Sequence, residues 1–169
     1  MKILQDSTRH LRELVRLNQQ WIEQYFDLEN ADRALAADPE SILRQGGHTF
    51  SAIIGERVVG VAALFRHNEH TLELARMAVH ANSRGRGIGR ALAERALEHA
   101  VQSGAQRVLV LSNTVLAPAV SLYSSLGFEV LREGQHPEYA RCNIVLEKQL
   151  RLEPNGTEHA LPSVRTPTT

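Results

Sequence analysis

At 169 residues, with 19 Lys and Arg against 19 Asp and Glu, the chain has the size of one domain and no overall charge to draw it toward nucleic acid or an anionic membrane. Hydrophobic residues at 43% and charged residues at 22% exclude a disordered or fibrous chain. The single cysteine, Cys142, excludes an intrachain disulfide and suits a reducing cytoplasm, and no run approaches the ~20 apolar residues that would span a bilayer.

In chain order, a short strand is expected at Lys2 to Leu4. A helix follows over Ser7 to Phe26, where Leu11, Leu14, Val15, Leu17, Trp21, Ile22 and Tyr25 recur at helical spacing and Ser7 or Asp6 is placed to cap it. Asp27 to Gln45, broken by Pro39 and closed by Gly46 and Gly47, reads as one or two short helices. His48 to Arg66 has the texture of a hairpin turning at Gly55, and Thr71 to Val79 reads as a third strand. A helix over about Ile88 to Gln102 sets Ile88, Leu92, Ala96 and Ala100 along one side and stops at Gly104. Arg107 to Leu111, continuous and apolar, predicts a central strand covered on both faces. A helix over Pro118 to Leu126 and strands at Phe128 to Leu131 and Asn143 to Lys148 complete residues 1–150 as one α/β domain, a mixed sheet with helices on its faces. Residues 151–169, with three prolines and little to bury, are expected to be a flexible tail.

The sharpest motif is Arg84-Gly85-Arg86-Gly87-Ile88-Gly89-Arg90, between a strand and a helix. Glycines there let a ligand approach the backbone, and the first amides of a helix have no internal acceptors, so the turn is suited to an anion. The arginines add guanidinium donors for a pyrophosphate. A nucleotide-hydrolase loop is excluded because Gly89 is followed by Arg90 and Ala91. The spacing Gly-x-Gly-x-Gly excludes the dinucleotide fingerprint. The plain alternative is a strand-to-helix turn whose arginines face solvent.

This turn resembles the Arg/Gln-x-x-Gly-x-Gly/Ala motif of the GNAT superfamily of acyl-CoA-dependent N-acyltransferases. A second block, Asn113 followed by Ala119-Val120-Ser121-Leu122-Tyr123-Ser124-Ser125-Leu126-Gly127-Phe128, is similar to that family's downstream signature. The resemblance implies a mostly antiparallel sheet whose central strands splay apart, with acetyl-CoA as cosubstrate. Coenzyme A would then be held by the amides of Arg86 to Gly89, the turn glycine Gly85 and the side chains of Arg84 and Arg90. Pantetheine would pair with exposed backbone at Met77 and Val79, with Asn113 along its arm. The amide of Met77 or Ala78 would meet the thioester carbonyl.

By the same resemblance Tyr123, near the start of its helix, would give its proton to the departing sulfur; the alternative is core packing. Glu73 is the expected base, on the same side of its strand as Met77 and Val79 by simple alternation, against an alternative of pairing with Arg76 or another arginine. Cys142 is read as a core thiol. The 8 histidines show no metal-ligand spacing, His67 and His70 are read as solvated, and no metal is expected. Tyr139 and Arg141 read equally as lining the acceptor mouth or as an ordinary surface loop, while Asp27, Glu29 and Asp32 read as a solvated helix face ahead of an attraction for a cationic acceptor. The expected activity is direct acetyl transfer to a primary amine, a small molecule or amino acid ahead of a protein lysine or N-terminus. A non-catalytic acyl-CoA-binding module and a nucleotide-binding protein are the rival classes. Nucleic acid and membrane partners are not expected, and the resemblance allows a homodimer.

Overall fold

The computed structural model describes residues 1–150, so the expected tail lies outside the described residues. The chain runs through β1 (Lys2–Gln5), a 3-10 turn at Thr8–His10, α1 (Leu11–Glu23), α2 (Asn30–Ala37), α3 (Ser41–Arg44), β2 (His48–Ile54), β3 (Arg57–Arg66) and β4 (Thr71–Val79). A 3-10 turn at Ala81–Ser83 leads to α4 (Ile88–Gln102), β5 (Arg107–Ser112), α5 (Ala117–Ser125), β6 (Glu129–Glu133) and β7 (Ile144–Gln149). The strands form one sheet in the order β1-β2-β3-β4-β5-β7-β6, antiparallel except for the β4–β5 pair. Among the described residues no helix is long and apolar enough to cross a membrane.

Both faces of the sheet are covered. The apolar stripe of α4, with Ile88, Leu92, Ala96 and Ala100, packs on one face against Phe50, Leu64, Leu74 and Val108, and Tyr123 and Phe128 extend that core. On the other face Leu14 and Leu17 of α1 join Leu35, Ile42, Val61, Ala63 and Ala78. β5 is central, but only Val108 and Val110 are fully buried; Leu109 and Leu111 are half-buried, because the sheet opens on that side. Neither expected cap of α1 is used. Ser7 makes no capping bond, and the Asp6 carboxylate instead accepts from the Thr49 amide at 2.8 Å and pairs with His48.

One close approach sets the position of α4. A Cβ on Gly60 of β3 would lie 2.8 Å from Ile88 Cγ2 and 3.0 Å from Leu92 Cδ1, both in buried side chains. Gly60→Ala is therefore expected to cost about 1–3 kcal/mol through overpacking. Urea unfolding measures this loss, and a cost near zero would show that α4 can shift freely.

Candidate active site

β4 and β5 pair only at Thr71↔Arg107, Leu72↔Val108 and Glu73↔Leu109. Beyond these rungs the strands separate, and the β5-facing edge of residues 74 to 79 has no strand partner. A cavity of about 1160 Å³ opens in the gap, lined by β4 from Glu73 to Val79, by Leu111 to Asn113, by the glycine turn and by Tyr123. That exceeds the ~300–1,000 Å³ of an ordinary ligand pocket and leaves room for two reactants.

At one end lies the turn. Gly85 and Gly87 take φ of 72° and 76°, a left-handed conformation that favours glycine, and α4 starts at Ile88. The amides of Gly85 through Arg90 have no acceptor among the described residues. Ile88 buries its side chain in the core, so its contribution to the turn is its amide. Arg84 donates through Nε to the Val79 carbonyl at 3.2 Å and reaches Gln24, while Arg90 donates to Ser125 Oγ at 2.5 Å. Both line the cavity, whereas Arg86 is exposed outside it.

β4 carries a bulge that sequence alternation missed. Its register with β3 slips between Val61 and Ala63, so Arg76 and Met77 together oppose Ala62, and Arg76 sits at φ 55°. Asn18, buried in α1, holds this conformation by donating to the Arg76 carbonyl at 2.8 Å and the Leu14 carbonyl at 2.9 Å. The extra residue reverses the alternation. Glu73 opposes Phe65, on the α1 side where Ala78 also packs, while Met77 and Val79 pack on the α4 side. Glu73 and Met77 therefore lie on opposite faces, contrary to simple alternation.

Glu73 pairs with His67 at 2.9 Å and not with Arg76. His67 is thus not merely solvated: its hydrogen bond to Glu73 raises its pKa against the opposing effect of burial. Tyr123 lies in the last turn of α5 rather than near its start, 7% exposed and edge-on to Phe128 at 5.7 Å between ring centres. Burial pushes its hydroxyl up to about 12. Asn113 lines the cavity, donating to the Arg141 carbonyl at 3.0 Å and accepting from the Val115 amide at 3.0 Å. Cys142 is a buried thiol with a raised pKa.

Asp32 departs furthest from expectation. Its side chain is 2% exposed and accepts from Arg141 at 2.6 and 2.7 Å, from the Glu29 amide at 2.7 Å and from Arg76. Burial alone would raise its pKa, but these donors outweigh burial and hold the carboxyl well below the usual range. The sequence signals for this cluster are Arg141, already read near the acceptor mouth, and the charge of Arg76 within the apolar run Leu-Ala-Arg-Met-Ala-Val; nothing local marks Asn18 or the burial of Asp32. No group of three or more His, Cys, Asp and Glu among the described residues is placed to hold a metal ion.

The family model for the acetyltransferase (GNAT) family matches residues 11–128. The curated N-acetylaspartate synthetase of Danio rerio is 39% identical over 89 residues, covering 52% of this chain and 31% of that protein, so the match spans less than a third of the relative. An acetyltransferase of GNAT family from Staphylococcus aureus Mu50 superposes with a TM-score of 0.78 at 19% identity, over 89% of this chain and 99% of that one. A phosphinothricin acetyltransferase from Sinorhizobium meliloti, in complex with AcCoA, gives 0.73 at 16% identity over 95% of each chain. At such identities the likeness to these solved structures is one of fold.

Proposed function

Because the chain belongs to the acetyltransferase (GNAT) family, we propose that it transfers acetyl from acetyl-CoA to a small primary amine, an amino acid foremost, by direct attack in a ternary complex. One observation carries this reading: a single cavity joins Gly85 and the unpartnered amides of Gly87 to Arg90, the open edge of β4, Tyr123 and Glu73. The amides fit a pyrophosphate, with Arg84 and Arg90 beside them. Pantetheine pairs with the backbone at Met77 and Val79 as an added strand, with Asn113 along its arm. That placement requires Arg84 to release the Val79 carbonyl. The AcCoA in the Sinorhizobium structure and the amino-acid product in the Danio relative's name support these choices. A cytoplasmic setting agrees with the one cysteine being a buried thiol.

Chemically, the acceptor ammonium gives a proton to Glu73, the free amine attacks the thioester carbon, and the C–S bond breaks. The amide of Met77 or Ala78 donates to the carbonyl oxygen as charge gathers there, Tyr123 protonates the departing thiolate, and the second proton shed by the acylated nitrogen passes through solvent to the Tyr123 phenolate. Protonated His67 engages the Glu73 carboxylate at low pH. The rate is therefore expected to rise as His67 deprotonates, above the ~6.5 of an ordinary imidazole.

Calorimetric titration with acetyl-CoA, followed by thiol release with a panel of amines, tests the reading, and no binding would overturn it. Glu73→Gln is expected to lower kcat/KM about 100-fold near neutral pH, with the deficit shrinking as solvent deprotonates the amine at higher pH. An undiminished rate near neutrality would remove Glu73 from the role of base.

A further inference from the structure

The cavity wall beyond Glu73 holds two guanidiniums on one spent carboxylate. Asp32, almost wholly buried, fills its two oxygens with bonds from Arg141, Arg76 and the Glu29 amide, so it has little left to offer a ligand. The arginines are not spent. Arg76 donates only through Nη1 among the described residues, and Arg141 only through Nη1 and Nη2, which leaves Nε and Nη2 of the first and Nε of the second. Both residues line the cavity, with side chains 14% and 21% exposed.

Stability alone does not account for this arrangement. A buried ion cluster contributes little that well-packed apolar residues would not, and Arg76 occupies a left-handed position that is strained for a residue other than glycine. Glu29, 2.9 Å from Arg141, brings the formal charge of the cluster to zero, so a bound anion would be held by directed N–H donors and not by net charge. Glu73 stands three positions earlier on the same strand. Together these residues present anion donors and a carboxylate on one wall, the pattern a zwitterion requires.

We infer that Arg76 and Arg141, locked side by side by Asp32, hold the carboxylate of an amino-acid acceptor while Glu73 faces its ammonium. The inference rests on the transferase reading above and narrows its substrate class to amines that also carry an acid group.

The test is thiol release from acetyl-CoA by the full chain with the common L-amino acids and their amides. An amide keeps the amine and side chain but loses the α-carboxylate. The neighbouring negative charge makes the acid's amine the harder of the two to deprotonate, so a preference for the acid cannot come from amine reactivity. We expect kcat/KM for the preferred acid to exceed that of its amide by about 30-fold or more, the scale of one lost charged hydrogen-bond pair. Arg141→Gln should bring the ratio to within about threefold. If that variant does not fold, the double variant Asp32→Asn, Arg141→Gln, which removes both charges of the pair, should show the same collapse. Equal or better use of the amides by the wild-type chain overturns the inference, as does acetyl-CoA binding with no amino acid acetylated. Failure to bind acetyl-CoA at all is a different result and overturns the transferase reading itself.

Discussion

Tyr123→Phe is expected to lower kcat for acetyl transfer by about 100-fold or more while leaving acetyl-CoA affinity nearly unchanged. The ring is packed edge-on against Phe128, and phenylalanine fills the same volume, so the substitution removes one hydroxyl and no packing. With its pKa pushed up to about 12, that hydroxyl keeps its proton throughout the neutral range. A group so raised is a poor donor to an ordinary thiolate in water, where thiols titrate near ~8.5. A thiolate expelled into the same apolar surroundings is raised by the same desolvation, and the two come closer to matching. Single-turnover thiol release beside calorimetry separates the steps. An unchanged kcat in the phenylalanine variant would return Tyr123 to core packing.

Asp32→Ala is expected to cost about 3 kcal/mol or more of folding stability at neutral pH, because it leaves Arg76 and Arg141 against a partly buried wall without their counter-ion. It also removes the acceptor of the Glu29 amide at the start of α2. The dependence on pH has a definite sign. The folded carboxyl is depressed below its ordinary value, so its contribution is complete above the unfolded pKa, near ~3.9, and is lost as pH falls from there toward the lower folded value. Urea unfolding near pH 7 and near pH 3 should show the gap between wild type and variant narrowing on acidification. A gap that is constant, or small at both values, would mean that the arginines find other partners when Asp32 is gone.

Much of this architecture is legible in sequence because its causes are local. The bounds of β4 and α4 follow from apolar spacing, and the left-handed glycine turn at a helix start, the geometry that suits an anion, follows from Gly85 and Gly87. What escaped has causes far away along the chain. The bulge at Arg76 depends on Asn18, and the burial of Asp32 depends on Arg76 and Arg141; each partner is distant in sequence, and no local pattern links one to another. Because the bulge shifts the alternation by one residue, a strand whose ends were placed correctly still gave the wrong face for Glu73 relative to Met77. Asp32 looked solvated for a similar reason: its helix is polar by composition, and only the fold brings two arginines to it.

The short β4–β5 pairing has a thermal consequence. Glu73 stands on the half of the sheet built from β1 to β4, while Tyr123 is carried by the helix that follows β5, and only three rungs of parallel pairing join those halves. A molecule paired along residues 74 to 79 and touching Asn113 adds rungs to that seam from outside the chain. On the proposed pairing, the arriving cosubstrate completes the alignment of the proposed acid and base, and melting temperature should climb with its concentration as mass action requires. Amides along the open edge of β4 are expected to exchange quickly with solvent in the free protein and to slow together when the seam is filled.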